Sequence, residues 1–159
     1  MMMREYDKTE FKSISDESAT ELSTEEQKKI DDTTADSKRL LDTIKDTLKD
    51  EIDDVVISSK LVDSPVCIST KDGMSLEMEK TLNEQPGMGQ DAKSIKVLEL
   101  NPDHDLFKSF VSIQNDDELV KKYASILLDE AMLLEGREIK DRATFIKKMN
   151  ELLVIALKK

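Results

Sequence analysis

The stretch SIKVLELNPDH, residues 94–104, joins a short apolar run to the polar start of a new element. The run from Ser94 to Leu100 is rich in β-branched and apolar residues and is bounded by turn-forming residues, which is typical of a β-strand. Asn101, Pro102 and Asp103 then supply an N-cap, a first helical position and an acid near the positive end of the helix dipole. The stretch therefore predicts a strand that is followed at once by a helix starting at Asn101.

Two similar runs lie upstream of this strand. VVIS extends from Val55 to Ser58 and PVCIS from Pro65 to Ser69, and turn residues bound both of them. A capping box at Ser23–Glu26 predicts a helix start before them, with a break among the poor helix formers near Thr33 and a packed half from Ser37 to Glu51. We therefore expect a small three-stranded sheet with a packed N-terminal helix.

Helical patterns also follow the sheet. One helix is predicted from Asp117 to Glu135, where Gly136 ends it, and another from Arg142 to Leu157, where Asp141 caps its start. The connection between them is short, which favours an antiparallel hairpin. The fold class is therefore α+β, with a small three-stranded sheet, packed helices and a C-terminal helical hairpin. Residues 1–22 carry few apolar groups and predict an arm, which leaves 23–159 as one domain.

Charge and composition restrict the possible partners. The 159 residues carry a formal net charge of −11, which opposes binding to nucleic acid or to an anionic membrane surface. Cys67 is the single cysteine, so an internal disulfide and a thiolate-rich zinc site are excluded. No apolar run reaches the roughly 18 residues of a membrane span, and the start has no signal-peptide pattern. We expect a cytoplasmic protein with neither nucleic acid nor membrane as a partner.

The sequence offers few groups for catalysis. It contains neither GxxxxGK nor GxGxxG, and Gly87 to Gly89 lacks the strand and helix that would aim backbone amides at a phosphate. His104 is the only imidazole, and the buried-looking run around Cys67 favours a thiol that acts as a small hydrophobe. We expect no catalytic residue, no cofactor and no metal, and we keep a small hydrolase that uses His104 as a distant alternative.

The two last helices are apolar around most of their circumference. Faces this broad exceed what one small core needs, so pairing of two copies competes with full burial inside the monomer. The residues predicted to lie at a dimer interface are Leu127, Leu128, Ala131, Phe145, Met149, Leu152 and Leu153.

A methionine stripe marks the segment between the second and third strands. Met74, Met78 and Leu82 fall on one face of a predicted helix that ends before Pro86, and Met88 follows in the sequence. Such a stripe is most often part of a core. Unbranched thioether side chains also suit a surface that must accept many shapes, so both interpretations remain open.

Three separated motifs resemble the C-terminal domain of the heat-shock protein 90 chaperones. They are LVDSPVCIST at 61–70, MEK at 78–80 and LELNPDH at 98–104, and they occur in the family's order. The family patterns are L-x-x-S-P-C-C-I-V-T, M-E-R and L-E-I-N-P-x-H-P. Asp105 departs from the last of these, because the family often has Pro there. The start REYDKTEFKS also resembles the lead-in from the family's middle domain, so the likeness covers essentially the whole chain.

The resemblance implies properties that composition does not show. In the family this region is the constitutive dimerisation domain, whose last two helices form a four-helix bundle with their copies. The helix that matches Met74 to Leu82 is exposed and associated with client proteins, which makes Met74, Met78, Leu82 and Met88 candidate client-binding residues. ATP is hydrolysed in a separate N-terminal domain, so this region is not itself an enzyme. The end at Lys159 lacks a Met-Glu-Glu-Val-Asp tail, which implies no tetratricopeptide co-chaperones and a likeness to bacterial members.

Overall fold

The computed structural model of the chain describes residues 24–71, 73–84 and 93–158, together with the backbone of residues 5–6 and 9–10. The rest of the predicted arm, and Met88, lie outside the described residues. The strands are β1 Glu5–Tyr6, β2 Thr9–Glu10, β3 Asp54–Ile57, β4 Val66–Thr70 and β5 Lys96–Leu100. The helices are α1 Thr24–Asp36, α2 Lys38–Leu48, α3 Leu76–Glu84, α4 Asp105–Ser112, α5 Asp117–Leu134 and α6 Arg142–Leu157.

The three predicted strands form one mixed sheet in the order β3-β5-β4. Strand β5 runs parallel to β3 and antiparallel to β4, and Leu98 lies opposite both Val55 and Ile68. Leu98 is fully buried, because it occupies the centre of the middle strand and belongs to the core between the sheet and the helices. The predicted α+β class and its three-stranded sheet are confirmed. Strands β1 and β2 form a separate antiparallel pair.

The N-terminal helical segment is divided at Ser37, four residues after the predicted break. Helix α1 buries no residue, whereas α2 presents Leu40, Ile44 and Leu48 at successive helical turns toward the core. This spacing places the three side chains on one face. The predicted packed half is thus confirmed as α2.

The helix predicted to start at Asn101 instead starts at Asp105, with His104 as its N-cap. The Asn101 side chain is buried and is engaged elsewhere: its amide donates to the Ser64 carbonyl at 3.1 Å, and its oxygen accepts from the Asp103 backbone N–H at 3.0 Å. His104 Nδ1 accepts from the Leu106 backbone N–H at 3.1 Å. The predicted helix start at Asn101 was wrong. The Asn101 oxygen accepts from the Asp103 backbone N–H as an N-cap would, but its amide is held by the loop before β4, and only a turn precedes the helix that begins at Asp105.

Helices α5 and α6 form the predicted hairpin. Asp141 caps α6 by accepting from the Thr144 backbone N–H at 2.9 Å, and Gly136 follows α5 with a φ of 66°, which favours glycine. The Lys148 ammonium donates to the Ser125 hydroxyl at 2.7 Å, and Lys122 pairs with Glu151. Later residues of α6 thus meet earlier residues of α5, which is the antiparallel arrangement. Among the described residues, no helix is long and apolar enough to cross a membrane.

Candidate interaction surfaces

Helix α6 contains no buried residue along its 16 positions. Helix α5, by contrast, buries six residues, among them Val120 and Ala124, which are fully buried. An apolar helix that contributes nothing to the core of its own chain is typical of a protein interface. The large apolar residues exposed on α6 are Ile146, Met149, Leu153, Val154, Ile155 and Leu157.

The predicted dimer-interface residues are divided between the core and this exposed helix. Leu127, Leu128 and Ala131 belong to the chain's own core, where each has less than a tenth of its surface exposed. In the single chain α5 turns them toward the core, which leaves little of their surface for a second copy, and their place in the interface stays a prediction. The α6 residues of the prediction keep an accessible surface: Phe145 and Leu152 are half-buried, and Met149 and Leu153 are exposed.

A groove of about 690 Å³ runs along the outer side of α6. Ile146, Val154 and Ile155 form its apolar part, and the Lys122–Glu151 ion pair closes one side. The groove lies on the same helix as Leu153, which is 54% exposed. The exposed surface of α6 therefore offers apolar side chains both along this groove and, at Leu153, outside it.

The methionine stripe lies on α3, outside the core. Met78 is 53% exposed, and Met74 and Leu82 are half-buried. Leu76 is the single residue of α3 that is buried, at 8% exposure. Because the helix begins at Leu76, Met74 precedes it, and the helical spacing holds within α3 only for Met78 and Leu82. The stripe is thus a partly exposed surface with one apolar anchor.

Glu79 holds α3 on the sheet. Its carboxylate accepts from the Lys96 ammonium at 2.8 Å, from the Ser94 backbone N–H at 3.0 Å and from the Ser94 hydroxyl. Burial opposes the charged carboxylate, but these hydrogen bonds outweigh it and hold the pKa of Glu79 at about 2, against an ordinary 4.5. Sequence reasoning missed this cluster. The sequence contains little that would reveal it, because Glu79 is 15 residues from Ser94 and 17 residues from Lys96.

The candidate catalytic groups are engaged in other ways. The Nδ1 atom of His104 serves as a helix cap, and its neighbours pair with lysines: Asp103 with Lys29 at 2.6 Å and Asp105 with Lys108 at 3.0 Å. The arrangement gives His104 no carboxylate to orient it as a base.

Cys67 is equally unsuited to nucleophilic chemistry. Its thiol is half-buried on β4, and burial, helped by the nearby Glu99 carboxylate, raises its pKa to about 12. Within the described part of the chain, no three His, Cys, Asp or Glu residues are placed to hold a metal ion.

Comparison with known proteins identifies the family. The family model described as Hsp90 protein matches residues 1–159. The chaperone protein HtpG of Fusobacterium nucleatum subsp. nucleatum is 39% identical over 96% of this chain and 25% of its own length. The HtpG proteins of Clostridium acetobutylicum and Bacillus subtilis (strain 168) are 35% and 33% identical, each over 96% of this chain and 24% of their length. This chain thus spans about a quarter of these relatives. With a family match along its whole length, the chain belongs to the Hsp90 protein family.

Proposed function

We propose that this chain is a homodimerisation region of a cytoplasmic Hsp90-family chaperone that assists protein folding, and that α6 is its main contact with a second copy. The observation that carries this proposal is the absence of any buried residue on α6, despite its apolar sequence. The interface we propose keeps Phe145, Met149, Leu152 and Leu153 from the sequence prediction. It adds the exposed neighbours on α6, which are Ile146, Val154 and Ile155, while Leu127, Leu128 and Ala131 of the prediction support the interface from the core side of α5.

The free energy available to such an interface is of the same size as the cost of association. Burying about five large apolar side chains contributes roughly 8 to 15 kcal/mol before costs are subtracted. Association of two proteins costs about 4 to 15 kcal/mol in lost motional freedom. Pairing of two α5–α6 hairpins into a four-helix bundle would bury more than five such residues, since each copy contributes the same face.

We propose a second role for α3 as part of the surface that contacts unfolded or partly folded client proteins. Its exposed Met78 and half-buried Leu82 support this role, because flexible apolar side chains at a surface can adapt to many sequences. Met74 lies beside the start of the helix and extends the same surface, while Met88 remains a prediction outside the described residues. The proposal assigns no catalytic residue, cofactor or metal to this chain.

The competing proposals predict different results. In a purely structural dimerisation module, α3 would bind no client although the chain pairs. A hydrolase that works through His104 would lose its activity when His104 is replaced by Ala, whereas the dimer would persist. The engagement of His104 Nδ1 by the Leu106 backbone N–H favours the chaperone proposal.

Sedimentation equilibrium over a concentration series tests the main proposal. At micromolar concentration we expect a species of twice the 18.1 kDa chain mass, which dissociates on dilution. Only an 18.1 kDa species at every concentration would show that α6 does not pair.

A further inference from the structure

A second attachment of α3 comes from the connection between α5 and α6. The Arg137 guanidinium donates from Nη2 to the backbone carbonyl of Leu76, the first residue of α3. A backbone carbonyl has two lone pairs, so Leu76 can accept this bond as well as the one from its own helix. The two residues are 61 positions apart in the sequence. The contact therefore joins the hairpin to the methionine-bearing helix directly.

The position of Arg137 depends on the end of α5. Its backbone N–H donates to the Met132 carbonyl at 2.8 Å, and the N–H of Gly136 donates to the Leu133 carbonyl at 3.0 Å. These bonds, together with the positive φ of Gly136, form a tight turn after α5. This turn fixes the position of the Arg137 backbone, from which the guanidinium extends. A shift of the α5 end or of the start of α6 would thus move Arg137.

An open cleft of about 650 Å³ separates α3 from the hairpin beside this contact. Glu79 of α3 and Lys96 of β5 line one side of it, and Met132 and Arg137 line the side of the hairpin. Side chains on opposite walls of an open cleft transmit little force through packing. The hydrogen bond from Arg137 to the Leu76 carbonyl therefore connects the hairpin to α3 across this cleft.

We propose that Arg137 couples the α5–α6 hairpin to α3, so that pairing of two copies through α6 stabilises α3 in its docked position. This inference rests on the proposed dimerisation. Helix α6 has no buried residue of its own. A partner that packs against α6 would restrain its position, and with it the position of the connection that carries Arg137. Coupling between two sites is reciprocal, so any client that prefers docked α3 also tightens the dimer.

Hydrogen exchange of the α3 backbone amides in the full chain tests the link itself. We expect Arg137→Gln to accelerate exchange within residues 76–84 by about tenfold, because it removes a charged hydrogen-bond donor. Arg137→Lys keeps the charge but shortens the donor, so the increase is smaller. Arg142→Gln is the matched control, since Arg142 pairs with the exposed Glu138 at 3.2 Å. Unchanged α3 exchange in Arg137→Gln, with unchanged β5 exchange as proof of folding, overturns the inference.

Leu153→Glu tests the connection to dimerisation. Hydrogen exchange of α3 is measured with this substitution in the wild-type chain and in Arg137→Gln. We expect it to accelerate α3 exchange in the wild-type chain and to add nothing in Arg137→Gln. An equal effect in both backgrounds, or dissociation without any change in α3, overturns the coupling while the dimer proposal stands. A wild-type chain that sediments only as a monomer overturns the dimer proposal and its linkage to α3. The comparison of Arg137→Gln with Arg142→Gln then still decides whether the guanidinium holds the helix.

Discussion

The Glu79 carboxylate and the Lys96 ammonium lie 2.8 Å apart, and each side chain is about seven-eighths buried, with 13% and 12% of its surface exposed. This ion pair joins the centre of α3 to the first residue of β5. Because the Ser94 backbone N–H also donates to the carboxylate, the helix is fixed to the sheet by directional contacts as well as by the apolar Leu76. The orientation of the methionine surface thus depends on a polar cluster.

Glu79→Gln should weaken this attachment. It leaves the Lys96 ammonium buried without its counter-charge, and we expect the free energy of unfolding to fall by about 1 to 3 kcal/mol. Glu84→Gln is the control, since Glu84 forms an exposed pair with Lys80 at 4.0 Å and should change the free energy by less than about 0.5 kcal/mol. Urea unfolding followed by circular dichroism compares the two variants. Equal stability losses would contradict the role given to Glu79.

The same cluster predicts a pH dependence. A carboxyl whose pKa is lowered from 4.5 to about 2 on folding stabilises the folded state above pH 4.5 and loses this contribution as the pH falls toward 2. The contribution amounts to roughly 3 kcal/mol at full ionisation. The stability difference between the wild-type chain and Glu79→Gln should therefore shrink between pH 4.5 and 2. A difference that stays constant over this range would show that charge on Glu79 is not the cause.

Leu153→Glu should give monomers. Leu153 is 54% exposed on α6, so a carboxylate there is solvated in the monomer but desolvated in the proposed interface. Val62→Glu is the matched control, because Val62 is 86% exposed and lies outside the hairpin. Sedimentation at micromolar concentration should show the monomer for the first variant and the dimer for the second. Dimers in both variants would place the contact on another surface.

Met78→Ser should leave the fold intact while weakening client binding. Met78 is 53% exposed, so we expect its loss to change stability by less than about 1 kcal/mol. Leu76→Ser in the same helix should cost about 2 to 5 kcal/mol, because Leu76 is buried. Thermal melts and binding to a reduced, alkylated protein measure the two effects. Unaltered binding by Met78→Ser would favour the purely structural module.

His104→Ala should destabilise the chain by about 1 kcal/mol through the loss of the α4 cap. His104→Asn should restore most of this stability, because Asn is a good N-cap and can accept from the same Leu106 backbone N–H. Thermal melting compares the two variants. If His104→Asn lowers the melting temperature as much as His104→Ala does, then His104 does not stabilise the chain by capping α4.

The sequence predicts local structure better than it predicts the contacts between elements. Helix α6 begins at the predicted Arg142, and α5 ends within one residue of the predicted Glu135, because the cap at Asp141 and the glycine at 136 are local signals. The start of α4 is displaced because Asn101 finds a partner 37 residues upstream, at Ser64. Local capping rules include no such long-range partner.

The candidate surfaces show the same division. The apolar character of α5 and α6 is evident in the sequence, but the burial of Leu127, Leu128 and Ala131 depends on their packing into the core with α2 and the sheet. Periodicity alone did not separate core from surface, because both helices are apolar around most of their circumference. The attachment of Glu79 is equally hidden in the sequence, since Lys96 on β5 and Ser94 just before it become its neighbours only after the sheet forms.

The central position of β5 sets the order in which this chain can fold during synthesis. Strands β3 and β4 form hydrogen bonds with β5 and not with each other, so neither is paired when it leaves the ribosome. The Lys96 backbone N–H donates to the Asp53 carboxylate, 43 residues upstream, where the parallel pairing of β3 with β5 begins. Parallel pairing over such a distance requires closure of a long loop. The apolar face of α2 therefore stays uncovered by the complete sheet until β5, which ends at Leu100, has been synthesised. A chain built in this way is itself exposed to misfolding during that interval.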